Sequence, residues 1–347
     1  MNPLVTTLTL TTLIMGTITV MFSSHWLLMW MGLELNMFAI LPLITKTHNP
    51  RSTEAATKYF MVQASASMIF LMATLINFMM TGNWNVNTMY NELPSLLILL
   101  SLLIKLGMAP FHFWVPEVTQ GTNMLASLII LTWQKLAPLS ILYQISTPNN
   151  HKIIMWSALL SIALGGWGGL NQTQLRKILA YSSIAHLGWM TTSTCYSPTL
   201  MMFYFTTYII MTIPTFMLMI KNKTTSTATL ALAWNKIPIT MTLLMLILLS
   251  TGGLPPFTGF LPKWLIIYEL VSNSNILIPT IMTILALLNL FFYTRIIYSS
   301  SLTMFPTTNN MKMEWKMSHK PSSITLTTLI TLAILAMPLA PTLLPIW

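Results

Sequence analysis

Four charged side chains, Glu34, Lys105, Lys135 and Lys263, stand inside long apolar runs rather than at their ends. A charge at the centre of a membrane helix costs about 2.5–3.5 kcal/mol on insertion scales. Stability does not require four such groups in one chain, and ion or proton handling accounts for them better. Lysine suits proton transfer because burial disfavours its ammonium form and a nearby carboxylate favours it, so a partner that changes distance loads or unloads a proton. Glu34 with Lys105 is the obvious pair. A static ion pair fastening two helices is the other use of the same two residues, and Lys135 and Lys263 have no carboxylate assigned to them.

Two of these lysines stand beside segments that should break a helix. The chain reads Gly107-Met108-Ala109-Pro110-Phe111-His112-Phe113-Trp114 and later Gly253-Leu254-Pro255-Pro256-Phe257-Thr258-Gly259-Phe260. Both are Gly-x-x-Pro-Phe-x-x-aromatic. Proline inside a helix removes a backbone donor and clashes with the preceding turn, so Gly107, Pro110, Gly253, Pro255 and Pro256 mark expected interruptions. Lys105 lies just before the first and Lys263 just after the second. Freed backbone groups are tolerated at membrane depth only when they line a hydrated cavity or are covered by protein. His112 in the first break and His186 in Tyr181-Ser182-Ser183-Ile184-Ala185-His186 could relay protons near neutral pH, or serve as hydrogen-bonded interior histidines.

The elements that must carry these residues follow from composition. The 347 residues are 54% hydrophobic and 6% charged, too few charges to coat soluble domains. A helix crossing the hydrocarbon layer uses roughly 20 residues. Apolar runs predict about eleven crossings, at 3–22, 25–44, 53–80, 93–115, 123–145, 152–170, 174–194, 199–220, 236–271, 276–299 and 323–345. Runs such as Leu96-Leu97-Ile98-Leu99-Leu100 do not alternate as a β-barrel strand would, so the fold is all-α and polytopic. Glu34 then lies roughly 15 Å, and Lys105 and Lys135 roughly 18 Å, into their helices.

Repeat spacing divides the chain further. The two Gly-x-x-Pro-Phe segments are five crossings apart, and an odd spacing inverts the second copy relative to the first, as in inverted-repeat transporters. The single membrane domain (1–347) thus divides into five-helix halves at 3–145 and 152–299, a loop at 300–322 on the face that holds the N-terminus and a C-terminal helix at 323–345. Chance matching in a biased composition is the competing account. Loop charges sort with the crossing count: Lys46, Arg51, Lys58, Arg176, Lys177, Lys221, Lys223, Lys236, Lys312, Lys316 and Lys320 fall on the face holding the N-terminus, against Lys152 on the other. This asymmetry places the N-terminus inside.

Several chemistries are excluded. There are six acidic residues, all Glu, and no Asp. The single cysteine, Cys195, rules out an internal disulfide and a cysteine-rich cluster site. No two histidines stand three or four apart, so no helical metal site is expected. The cluster Gly165-Gly166-Trp167-Gly168-Gly169 is no dinucleotide fingerprint, because neither a preceding strand nor a following acid is present; close helix packing is its expected use. The net charge of +10 is dispersed between apolar runs, so no nucleic-acid partner is expected. The first run lacks a basic flank and a cleavage site and should be retained.

A family resemblance now attaches to particular residues. His25-Trp26, Trp30-x-Gly32-x-Glu34-x-Asn36, the run from Lys105 to Val118, Leu131-Thr132-Trp133-Gln134-Lys135-Leu136-Ala137-Pro138, Gly165 to Lys177, Tyr181 to His186 and Gly252 to Phe257 resemble the antiporter-like membrane-arm subunits of mitochondrial NADH:ubiquinone oxidoreductase (complex I), and among them its subunit 2 family. The resemblance runs over nearly the whole chain. It implies a multi-pass protein of the mitochondrial inner membrane, N-terminus in the matrix and C-terminus toward the intermembrane space. It also implies proton-transfer roles for Glu34, Lys105, Lys135 and Lys263, with His186 near the same hydrophilic axis. FMN, iron–sulfur clusters, NADH and ubiquinone would belong to partner subunits, with no cofactor or metal in this chain. Its partners would be other membrane-arm subunits, accessory subunits and phospholipids. Bacterial members of the family usually have fourteen helices rather than eleven, the difference lying at the N-terminus. The reading is a subunit coupling electron transfer elsewhere to proton movement out of the matrix; the alternatives are a stand-alone cation/proton antiporter and a structural spacer of the membrane arm.

Overall fold

A computed structural model describes residues 3–86, 91–145, 150–234, 238–302 and 324–339. Among these the chain is helical, with no strand longer than an isolated bridge. The helices are α1 (Pro3–Phe22), α2 (Trp26–Ile44), α3 (Pro50–Thr81), α4 (Glu92–Leu106), α5 (Trp114–Gly121), α6 (Met124–Leu131), α7 (Trp133–Gln144), α8 (His151–Gly169), α9 (Leu175–Thr194), α10 (Pro198–Lys221), α11 (Thr227–Ala233), α12 (Pro238–Gly252), α13 (Phe260–Ser272), α14 (Leu277–Ile297) and α15 (Ile324–Leu335). Six segments are long and apolar enough to cross a membrane: Pro3–Phe22, Trp26–Thr47, Pro50–Thr81, Met124–Gln144, Pro198–Lys221 and Leu277–Ser301. Large apolar side chains face outward on them, among them Leu4, Met79 and Leu287, as lipid-facing surfaces require.

The chain divides into two compact units, Met1–Ser161 and Ile162–Trp347. In the first, α1 and α2 approach closely because glycines face each other: a Cβ on Gly16 would lie 3.0 Å from Gly32 O, and one on Gly32 2.9 Å from Gly16 O. Small residues allow such contact where lipid supplies no hydrophobic drive between helices. The loops after α1 and α3 join through Trp26 N–H to Trp84 O at 3.1 Å and Val86 N–H to Ser24 O at 3.2 Å.

In the second unit α9 is the inner helix, buried at every residue from Ser182 to Thr194. Its Ser and Thr content would be costly against lipid, but each hydroxyl is satisfied locally, as in Ser183 Oγ to Ala180 O at 2.7 Å. The glycine cluster of α8 packs as expected: a Cβ on Gly165 would lie 2.8 Å from Ala185 N, and one on Gly168 2.3 Å from the Tyr181 ring. The loops after α8 and α10 join through Leu175 N–H to Thr225 O at 3.1 Å and Thr227 N–H to Thr173 O at 3.0 Å.

Three expectations need correction. The run 123–145 is not one helix, because Thr132 (φ −114°, ψ −69°) separates α6 from α7. Its Oγ1 donates to Leu128 O at 2.7 Å, competing with the backbone ladder, and Pro138 inside α7 cannot donate to the preceding turn. The stretch between the eighth and ninth runs, expected to be loop, contains α11, whose capping box is closed by Ser226 and Thr229. Among the described residues the last run is α-helical over Ile324–Leu335 and tightens into a 3-10 turn at Met337–Leu339, because Pro338 cannot continue the ladder. Among the described residues six segments meet the length and hydropathy of a continuous crossing, and the fourth and ninth runs are broken into pieces. Lys236, Lys312, Lys316, Lys320, positions 303–322 of the expected loop and positions 340–345 of the last run lie outside the described residues.

Candidate proton-transfer sites

The interruptions after α4 and α12 are built alike. Gly107 has φ +71° and Gly253 φ +85°, the left-handed region that glycine enters without a Cβ penalty. At the first, Gly107 N–H donates to Ile104 O at 3.1 Å and Met108 N–H to Leu103 O at 3.0 Å; at the second, Gly253 N–H donates to Ser250 O at 3.0 Å and Leu254 N–H to Leu249 O at 3.5 Å. Both are the Schellman pattern. Side chains also donate to the carbonyls of the first end, Trp114 Nε1 to Ile104 O at 3.1 Å, which thus accepts twice, and Gln63 Nε2 to Lys105 O at 3.4 Å. At the second end Lys263 Nζ donates to Gly252 O at 2.8 Å. Lys105 lies in the last turn of α4 and the ammonium of Lys263 reaches the last turn of α12. Each unit thus sets a cation at the negative end of a helix dipole.

Gly107 tolerates no side chain. A Cβ there would meet Val115 Cγ2 at 2.3 Å. Gly107→Ala combines a left-handed penalty of about 1–2 kcal/mol with overpacking of similar size. It should lower the thermal stability and the amount of assembled protein, as a melting series on the purified assembly would measure.

In the first unit Lys105 and Lys135 are buried, 7% and 4% exposed. Both line one cavity of about 20 Å³, with Asn36, Tyr59, Gln63 and Gln134 supplying other polar groups. That volume admits about one water. Lys135 sits three residues after the Thr132 interruption, so all three buried lysines stand at breaks in the backbone ladder. Glu34, half-buried on α2, acts electrostatically on Lys105 and on buried Tyr59 without a direct ion pair. The direct ion pairs among the described residues are those of Lys58 with Glu54, one turn away on α3, at 2.7 Å and with Glu117 at 2.8 Å, the second of which fastens α3 to α5 at the surface. His112 is buried in the break, its Nδ1 3.3 Å from Pro110 O.

In the second unit Lys263 is 7% exposed and His186 5%. His186 Nδ1 lies 2.9 Å from Tyr204 Oη, and its ring is 5.4 Å from that of Tyr208. Tyr208 is hydrogen-bonded to Ser183, and the buried Tyr293 ring lies against Gly252 at the end of α12. The buried tyrosines were not anticipated. A signal existed for the partner of Tyr208: Ser183 precedes His186 by three residues and shares its helix face.

Fold and site together define an all-helical membrane protein with outward apolar faces and buried lysines at helix interruptions. A family model described as "NADH:quinone oxidoreductase/Mrp antiporter, TM" matches residues 23–289 and another, "NADH dehydrogenase subunit 2 C-terminus", residues 290–344. The NADH-ubiquinone oxidoreductase chain 2 of Oryzorictes hova is 61% identical over 341 residues, covering 98% of each chain. Among solved structures, a chain of respiratory complex I from Thermus thermophilus, determined with bound aureothin, is 25% identical with a TM-score of 0.84, covering 99% of this chain and 80% of that one. A chain of the Mrp complex from Dietzia sp. DQ12-45-1b is 15% identical with a TM-score of 0.77, covering 95% and 74%, a likeness of fold. The chain belongs to the NADH-ubiquinone oxidoreductase chain 2 family.

Proposed function

We propose that this chain is the antiporter-like, proton-translocating subunit of a mitochondrial NADH:ubiquinone oxidoreductase, and that Glu34, Lys105, Lys135, His186 and Lys263 carry its proton transfers. The observation that carries this reading is the cavity of about 20 Å³ shared by Lys105 and Lys135. Two buried lysines facing one gap repel each other when both are charged, so charging one favours discharging the other. Glu34 biases Lys105 through space, and without a closed ion pair its influence can rise and fall with small movements. NADH, FMN, iron–sulfur clusters and ubiquinone are assigned to partner subunits, which supply the redox energy. Other membrane-arm subunits, accessory subunits and phospholipids would cover the outward apolar faces.

Eleven crossings, counting each broken helix once, and a matrix-side N-terminus in the inner membrane complete the proposal. The loop pairs described above support it, because loops after the first and third runs join each other, as do those after the sixth and eighth. Matching caps at Gly107 and Gly253 support the inverted repeat. Protons would move from the matrix to the intermembrane space.

The test is Glu34→Gln in the assembled complex, which keeps shape and removes charge. Turnover and pumping should fall together by about tenfold, the size of one charge interaction in a poorly screened interior, with assembly largely intact. Loss of assembled complex in proportion to lost activity would instead favour a structural role for Glu34. A stand-alone antiporter would purify as a small homo-oligomer with exchange activity; this chain should purify only within a large complex.

A further inference from the structure

The imidazole of His186 is held by a buried tyrosine that the proposed transfers do not assign. Tyr204, on α10, is 1% exposed. Its Oη lies 2.9 Å from His186 Nδ1, a hydrogen bond of normal length that crosses from α10 to α9. Tyr208 stands one turn further along the same face of α10, and its ring also meets the imidazole. The ring centroids are 5.9 Å apart for Tyr204 and 5.4 Å for Tyr208, with interplanar angles of 58° and 49°. Two rings on successive turns of α10 thus pack against the imidazole, and the bond to Tyr204 makes Nδ1 the nitrogen turned toward that helix.

The chemistry of this partner matters as much as its position. A carboxylate only accepts, and favours the charged ring; an ammonium only donates, and favours the neutral one. A phenol hydroxyl does both. Buried, its proton needs an acceptor, and among the described residues Nδ1 is the hydrogen-bond partner of that hydroxyl. In the neutral ring the hydroxyl therefore donates to Nδ1, and the ring's own proton stands on Nε2. A charged ring carries a proton on both nitrogens, and Nδ1 then donates to a lone pair of the same oxygen. Charging the ring adds one N–H bond and breaks no O–H bond; the hydroxyl only turns about its C–O bond.

We propose that Tyr204 is a positioning residue for His186: its hydroxyl holds Nδ1 against α10 in both charge states, so the imidazole keeps one orientation while it gains and loses a proton. The inference rests on the reading that His186 carries a proton, and its test separates the two.

The experiment compares His186→Gln, Tyr204→Phe and the double variant in the assembled complex, measuring complex content, NADH oxidation per complex and protons moved per electron. Infrared spectra add the imidazole ring-stretch band, which differs between the two neutral tautomers. The wild-type spectrum minus that of His186→Gln isolates the His186 band, and with the ring neutral it should be that of the form protonated on Nε2. The other tautomer would overturn the inference, and this measurement stands even should Tyr204→Phe assemble poorly. Tyr204→Phe keeps the aromatic ring and removes only the hydroxyl. It should leave complex content near normal, lower coupled turnover about tenfold, the effect of one buried hydrogen bond, lower the proton-to-electron ratio and shift the His186 band. The double variant should be no slower than His186→Gln alone, because a residue that acts through the imidazole then has nothing to hold; additive losses would overturn the inference in favour of an independent role for Tyr204. Normal rate and ratio in Tyr204→Phe, beside lowered values in His186→Gln, would overturn the inference alone. Loss of complex content with normal rate and ratio per complex would overturn it too, in favour of a role in stability. Normal rate and ratio in His186→Gln would overturn the reading of His186 and this inference with it.

Discussion

Lys105→Met in the assembled complex is expected to lower NADH-driven turnover and proton pumping together by about 100-fold, the low end of what a positioned proton-transfer group contributes. The residue is buried in the last turn of α4, faces the cavity it shares with Lys135, and feels the charge of Glu34. Removing the ammonium leaves Glu34 with nothing to bias and Lys135 with no neighbour to repel it. Methionine has nearly the same reach and fills irregular space well, so packing around Leu106 and Trp114 should hold. The lost cation at the helix C-terminus costs only about 0.3–1 kcal/mol. Complex content should therefore stay near normal while function collapses. Near-normal turnover and pumping in Lys105→Met, measured in reconstituted vesicles, would remove Lys105 from the path.

Lys263→Met should lower the proton-to-electron ratio and slow NADH oxidation by at least about tenfold. Lys263 is the buried lysine of the second unit, and it is held at a helix end rather than by a carboxylate. No carboxylate stands within the described contacts of Nζ, so a proton held there meets no strong anionic trap. The substitution also leaves the buried Gly252 carbonyl without its ammonium donor, at a cost of about 1–3 kcal/mol, so some loss of thermal stability should accompany the functional change. The ratio is the deciding measurement, because a destabilised but competent complex would pump normally per electron. An unchanged ratio at normal turnover would show that protons do not leave through this residue.

Much of this protein is legible in its sequence, for local reasons. Composition alone determined a polytopic helical membrane protein, since 6% charged residues cannot cover soluble domains. The bounds of α1, α3, α9 and α10 follow apolar runs closely, because the hydrocarbon thickness sets length and polar residues mark the exits. Gly107 and Gly253 announced their interruptions because proline and glycine act on the backbone within a turn of themselves. The buried lysines were visible because a charge within an apolar run is conspicuous. What only the tertiary structure decided concerns how the helices are turned toward each other. The cavity joining Lys105 to Lys135 and the absence of a direct ion pair between Glu34 and Lys105 depend on helix rotations. So does the approach of the Tyr293 ring to Gly252, more than 40 positions from it in the chain. A soluble helix declares its inner face by an apolar stripe, but helices that are apolar on every side, as α1 and α12 nearly are, carry no such mark. Their rotation is set by close contacts such as those at Gly16, Gly32 and Gly165, which form only once the helices have packed.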